Sequence, residues 1–174
     1  MSTVYVRKAT GKDLSAIMSI IDYAKQLLKS DGSQQWQNGN PNEKIILDDI
    51  RKGYCYLLIV DGQIAGTSAL LTEPDPNYEV IIDGSWENNE SIYATFHRIA
   101  ISDKFRGVHL SSYLFSNLLS LAYNQGLRDF RIDTHEMNLR MQGLIEKIGF
   151  KYRGRIFVDS TPHGERKAYE LHLD

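Results

Sequence analysis

Val4, Tyr5 and Val6 precede the charged Arg7 and Lys8 in "VYVRKA" (4–9), a stretch that reads as a strand. A helical rhythm follows. Leu14, Ile17, Met18, Ile21, Ala24 and Leu28 recur at three- and four-residue steps and fall on one helical face. Thr10 and Asp13 in front of them have the spacing of a capping box. That helix ends near "KSDGS", and "QQWQNGNPNEK" reads as a loop. Asn40-Pro41 predicts the start of a short second helix that carries Ile46 and Ile50 and stops at Gly53. "YCYLLIV" (54–60) and "IAGTSALL" (64–71) flank "DGQ", a hairpin with Asp-Gly at its tip. From Glu73 to about Asn89 the chain is polar and irregular, and "SIYATFHRIAI" (91–101) is a long strand. The helix after Arg106-Gly107 is expected to bury Leu110, Leu114, Leu118 and Leu121. "RDFRID" (128–133) is a strand, and Asn138 opens a helix with Met141, Leu144 and Ile145 that ends at Gly149. "FKYRGRIFV" and "ERKAYELHL" close the chain as two strands.

The order is β-α-α-β-β-β-α-β-α-β-β. It predicts an α/β (α+β) fold with a mixed, mostly antiparallel sheet and one right-handed parallel crossover. The 174 residues are read as one domain, 1–174, with no repeat or dividing linker. Hydrophobic residues at 42% and charged residues at 24% are ordinary for a soluble protein, and a net charge of −2 speaks against a nucleic-acid partner. No apolar run approaches the ~18 residues of a membrane span. The start "MSTVYVRKATGKDL" has no signal pattern, so a cytoplasmic location is expected. Asn89-Glu90-Ser91 matches a glycosylation sequon, which is then a chance match. Cys55 is the sole cysteine, which excludes an intrachain disulfide; within "YCYLLIV" it reads as a buried strand residue. There is no G-x-x-x-x-G-K-[ST] and no G-x-G-x-x-G after a strand. His97, His109, His135, His163 and His172 form no H-E-x-x-H pattern, so no metal site is expected.

What remains is a strand, the turn "SDKFRG" and a helix beginning "VHLSSYL". Such a turn aims unpaired backbone N–H groups at one spot, a natural site for a phosphate. Arg106-Gly107-Val108-His109-Leu110-Ser111 resembles the acyl-coenzyme A turn [RQ]-x-x-G-x-[GA] of the GNAT superfamily of N-acetyltransferases. His109 stands where that motif has its first glycine, and Ser111 where it has its last small residue. The Asn-capped helix ending in "EKIGFKYRG" resembles the same family's "EKxGFxxxG". The element order fits the family fold over almost the whole chain. The resemblance implies helices on both faces of the sheet, two parallel strands that splay apart, and acetyl-CoA (coenzyme A) as cofactor. It places the pyrophosphate on the amides of Gly107, Val108, His109, Leu110, Ser111 and Ser112, with Arg106 adding a charged contact. It makes the backbone of Ile99, Ala100 and Ile101 the partner of the pantetheine arm. Asn138 either reaches that arm or is a plain N-cap.

Acetyl transfer to an amine needs a base, because a lysine-like ammonium has a pKa near ~10.4. His97 lies on the cofactor strand, two residues before Ile99 and so on its face if alternation holds. It is read as the base, against the alternative of a hydrogen-bonded core histidine. Glu87 and Glu90 precede the strand and offer a relay through water. The general acid is missing: many family members have a tyrosine seven residues after the motif asparagine, and that position is Ile145. Tyr113 and Tyr152 are conceivable substitutes. Trp36, Tyr78, Trp86 and His135 are candidates for the acceptor site. The expected partner is a small-molecule or peptidyl amine, with no nucleic acid and no membrane; a homodimer is left open. The reading is an acetyl-CoA-dependent N-acetyltransferase, and the alternative is a non-catalytic acyl-CoA-binding or sensing domain of the same fold.

Overall fold

The computed structural model describes residues 2–89 and 92–174. Glu90 and Ser91, the last two residues of the sequon, lie outside the described residues. Eleven elements follow the expected order: β1 (Val4–Lys8), α1 (Leu14–Ser30), α2 (Glu43–Arg51), β2 (Cys55–Val60), β3 (Gln63–Leu71), β4 (Ala94–Ile101), α3 (Leu110–Asn124), β5 (Asp129–Thr134), α4 (Leu139–Ile148), β6 (Lys151–Phe157) and β7 (Glu165–His172). The strands form one sheet in the order β1-β2-β3-β4-β5-β7-β6. Among the described residues only β4 and β5 are parallel, and they pair at just two positions, Ala94 with Phe130 and Thr95 with Arg131. Beyond Thr95 they part.

Local chemistry explains most boundaries. The capping box is present, since Asp13 Oδ2 accepts the Thr10 N–H at 2.8 Å. Asp13 is also gripped by Arg7 at 2.8 and 2.9 Å, which holds its carboxyl well below the usual range. The β2–β3 turn has Asp61 at φ 47° and Gly62 at φ 79°, the left-handed pair that a two-residue hairpin requires. The second helix starts later than "Asn40-Pro41" suggests. Asn42 is its cap and accepts the Ile45 N–H at 3.1 Å.

Two apolar clusters cover the two faces of the sheet. α3 and α4 pack Leu110, Leu114, Phe115, Leu118 and Ile145 against Leu58, Phe96 and Phe130. α1 and α2 pack Ile17, Ile21 and Ile46 against Leu57, Ile59 and Ala100. Leu121 is partly exposed, contrary to the sequence reading. The buried stripe of α3 instead runs 110–114–118 and then steps by four to Ala122, with Phe115 beside it.

The 73–89 segment is more structured than its polarity suggests. Tyr78, Trp86 and Tyr93 form a third cluster with Ile156 and Ala168. The Arg131 guanidinium lies 4.2 Å from the Trp86 ring and 4.1 Å from that of Tyr93. Among the described residues no helix is long and apolar enough to cross a membrane.

Candidate active site

Where β4 and β5 part, the sheet opens into a cavity of about 990 Å³. Its walls are α1, the loop after it, β4 from Phe96 to Ile101, the turn before α3, the end of β5, the start of α4 and the β6–β7 loop. No residue of α2 lines it.

One end is the turn before α3. Asp103–Phe105 make a single helical turn, Gly107 has φ 80°, and His109 is the N-cap residue with φ 55° and ψ 26°. That left-handed conformation belongs mainly to glycine, and histidine is among the few other residues that visit it. The backbone therefore keeps a glycine-like path at His109. At the start of α3 the Leu110 and Ser111 amides have no acceptor among the described residues, whereas the Ser112 N–H donates to the His109 carbonyl at 3.2 Å, and the helix dipole adds positive potential there. A Cβ at Gly107 would meet nothing within 4 Å, so the turn is open on that side. Arg106, Gly107, His109, Leu110 and Ser111 line the cavity, whereas Val108 and Ser112 do not. Arg106 Nη1 donates to the Tyr23 hydroxyl at 3.0 Å, so α1 steadies the guanidinium beside the turn.

The middle is the free edge of β4. Beyond Thr95 that edge has no strand partner among the described residues, and Ile99, Ala100 and Ile101 all line the cavity. Against β3 the register slips: Ala69 faces His97 and Thr67 faces Ala100, so two residues oppose Ser68. Arg98 sits in this bulge at φ 55°, held by a bidentate ion pair with Asp49 at 2.6 and 2.8 Å. The bulge reverses the side-chain parity. Phe96, Ile99 and Ile101 pack into the first cluster, whereas Ala100 packs into the second. His97 is therefore not on the face of Ile99, as strict alternation would have it.

Asn138 lines the cavity opposite β4. It is the N-cap of α4, with Oδ1 accepting from the Met141 N–H at 3.2 Å. Its Nδ2 donates to Gln35 Oε1 at 3.0 Å. Gln35 also accepts from Thr134 Oγ1 at 3.3 Å and from the His135 N–H at 3.4 Å. The loop after α1, which brings Trp36 to the cavity, is thus tied to the β5–α4 junction.

The other end holds His97. Its Nε2 lies 2.9 Å from Asp75 Oδ2, and both side chains are largely buried on the cavity wall. Asp75 is fixed in turn: its carboxylate accepts the Asn77 N–H at 2.9 Å, and its own N–H donates to the Tyr93 hydroxyl at 3.0 Å. Burial pushes the Asp75 carboxyl up, but the bonds from His97 and Asn77 outweigh it and leave the carboxyl below its ordinary value. An ionised Asp75 takes a proton-bearing Nε2 from His97. Nδ1 is then the basic nitrogen, and it has no partner among the described residues.

Several expected residues lie elsewhere. Glu87 is two-thirds exposed, pairs with Arg153 and does not line the cavity. Tyr78 and Trp86 are packed inside the third cluster, with Trp86 Nε1 donating to the Tyr78 carbonyl at 2.9 Å. His135 is buried behind the wall, where its Nδ1 accepts the Met137 N–H at 3.2 Å and its carbonyl the Asn138 N–H at 2.9 Å. Burial lowers its pKa, assisted by the nearby Arg166 charge. Ile145 is fully buried, and Tyr113 and Tyr152 do not reach the cavity. Burial raises the Cys55 thiol to about 11, which removes it as a nucleophile. Asp75, Gln35, Tyr23, Asp133 and Arg166 line the cavity without having been singled out from the sequence.

A strand edge without a partner among the described residues, facing a capped helix and leading to an open turn at a helix N-terminus, fits an extended amide-bearing chain that ends in a pyrophosphate. Comparison with known proteins points the same way. The profile of the Acetyltransferase (GNAT) family matches residues 21–150. No curated protein matches the chain. Among solved structures, a GNAT-family acetyltransferase from Streptococcus agalactiae is 36% identical, with a TM-score of 0.89 over 98% of this chain and 96% of that one. A GNAT-family acetyltransferase from Listeria monocytogenes is 21% identical, with a TM-score of 0.73 over 98% and 95% of the two chains. The PaiA N-acetyltransferase of Thermoplasma acidophilum, solved in complex with coenzyme A, shares the fold at 15% identity and a TM-score of 0.70, over 98% and 99%. The cavity, the splayed strands and the profile match lead to one conclusion: the chain belongs to the GNAT acetyltransferase family, which takes its acetyl group from acetyl-CoA.

Proposed function

We propose that this acetyltransferase acts on a primary amine and that His97, oriented by Asp75, removes the amine's proton. The observation that carries the reading is the 2.9 Å His97–Asp75 contact on the cavity wall, along the strand whose free edge opens the cleft. In this reading the amides at the start of α3, with Gly107 and Arg106, hold the coenzyme pyrophosphate. The β4 backbone from Ile99 to Ile101 and Asn138 hold its arm. Acetyl-CoA, when bound, supplies an acetyl carbon activated as a thioester, whose C–S bond breaks as the new C–N bond forms.

Asp75 fixes the tautomer of His97 and stabilises the imidazolium that forms when Nδ1 accepts the amine's proton. The free amine is what attacks, so base strength at Nδ1 is what the site must supply. Tyr23 is the one tyrosine among the described residues that lines the cavity, and its hydroxyl is engaged by Arg106 at the far turn. No tyrosine is therefore assigned as acid. A thiol with a pKa near ~8.5 is an acceptable leaving group without one.

Release of free thiol from acetyl-CoA in the presence of a panel of primary amines tests this reading. Amine-dependent release is expected. Coenzyme binding with no release for any amine would turn the reading to an acyl-CoA-binding domain.

A further inference from the structure

The end of the cavity that holds His97 contains a second charged pair, which the reaction as drawn does not use. Arg166 lines the cavity, although only 9% of the residue is exposed. Its Nη1 donates to the carbonyls of His163 and Glu165 at 2.6 and 2.8 Å. Its Nε stands 3.9 Å from Asp133 Oδ1, beyond hydrogen-bond distance. Neither Nε nor Nη2 donates to any described residue. Asp133 is complementary. Its Oδ2 accepts the Tyr78 hydroxyl at 2.7 Å, and its Oδ1 has no hydrogen bond among the described residues. Tyr78 joins this pair to the base, because its ring centroid lies 6.2 Å from that of His97. Burial lowers the Arg166 pKa, opposed by the charges of Asp133 and Asp159.

A guanidinium buried this far and left with a free donor edge is unfavourable by itself. The Nε–Nη2 edge is a planar fork whose natural complement is a carboxylate, bound through two parallel N–H donors. An acceptor that brought a carboxylate alone would place it beside Asp133 Oδ1 and be repelled. An acceptor whose cationic amine lies next to its carboxylate satisfies both charges together.

We propose that Asp133 and Arg166 recognise a free amino acid, a deepening that rests on the N-acetyltransferase reading above. The carboxylate accepts from Arg166 Nε and Nη2, and the ammonium lies against Asp133 Oδ1 until His97 takes its proton. Acetylation removes the positive charge that Asp133 attracts and leaves the carboxylate next to it, which favours release of the product. The N-terminus of a peptide has no carboxylate beside its amine and is excluded as the preferred acceptor.

The experiment compares matched acceptors: an amino acid, its carboxamide and its decarboxylated amine, each followed by thiol release from acetyl-CoA. The expected kcat/KM is about tenfold to a hundredfold higher for the acid, the range of charge-assisted hydrogen bonds to a buried cation. Arg166→Gln should bring the acid-to-amide ratio toward one, and Arg166→Lys should restore part of it. A melting curve on each variant identifies loss of fold, in which case the wild-type ratio decides. In parallel, with coenzyme A present, the acid should raise the melting temperature and the amide should not. Equal kcat/KM for acid and amide, or an equal melting shift, overturns the proposal while leaving N-acetyl transfer intact. If no amine is acetylated, the proposed chemistry falls, and the melting shift alone then decides whether this is an amino-acid site.

Discussion

His97 and Asp75 are 22 residues apart in the chain and 2.9 Å apart in space. The second number makes the first residue interesting. An imidazole with one nitrogen fixed by a carboxylate has a defined tautomer, and its other nitrogen is a directed base. Asp75→Asn should therefore lower kcat by on the order of tenfold to a hundredfold while KM for acetyl-CoA stays near its wild-type value. The same substitution has a signature in stability. The Asp75 carboxyl is held below its ordinary value in the folded state. Its contribution is therefore present at neutral pH and disappears as pH falls through the carboxylate range, below about 4. The melting temperature of Asp75→Asn should run parallel to wild type at neutral pH and fall less steeply on acidification. A curve as steep as that of wild type would assign the acid sensitivity to other carboxylates.

Gly107 tests the other end of the cavity. At φ 80° any side chain there costs about 1–2 kcal/mol, although the space beyond is empty. Gly107→Asp adds a carboxylate where the pyrophosphate is expected. It should weaken coenzyme A affinity more than Gly107→Ala does, and titration of coenzyme A against both variants measures this. Equal affinities would move the phosphate site away from this turn.

At the scale of elements, α3 and α4 were legible in the sequence because caps and apolar spacing act locally. Asn138 caps α4 and Gly149 ends it, as a fixed-period reading expects. Three features were not legible, the first two because a distant contact decides them. The bulge at Arg98 depends on Asp49 in α2 and inverts the parity of everything after it in β4. The aromatic residues of the 73–89 segment look like pocket material in the sequence. They are buried because Arg131 and Ile156, far along the chain, supply their partners. Leu121 lies one position off a stripe that steps by four.

Ile145, by contrast, was placed correctly on α4, but its environment was invisible until the core was seen. It is fully buried against the sheet. Ile145→Tyr should cost about 1–3 kcal/mol through overpacking, with no gain in kcat. Chemical denaturation and steady-state rates check both halves. A stable variant with a higher kcat would show that a hydroxyl can reach the reacting sulfur from this position.

At the scale of the whole molecule, function follows from one departure from a continuous sheet. β4 and β5 pair for only two residues and then separate, so a strand edge that would otherwise be sealed is left available inside the protein. The order of elements announced the parallel crossover but not where pairing stops. The separation brings the turn before α3, the free edge of β4 and the His97–Asp75 pair into one cavity of about 990 Å³.

The central claim is that His97 is the base in that cavity. The pH dependence of kcat/KM for wild type and His97→Ala, with a melting curve on each, tests it most directly. The account predicts a wild-type rate that rises with pH through a titration absent from the variant, and a loss of about a hundredfold or more in a variant that remains folded. A folded His97→Ala protein that keeps the wild-type rate and the wild-type pH profile would contradict it.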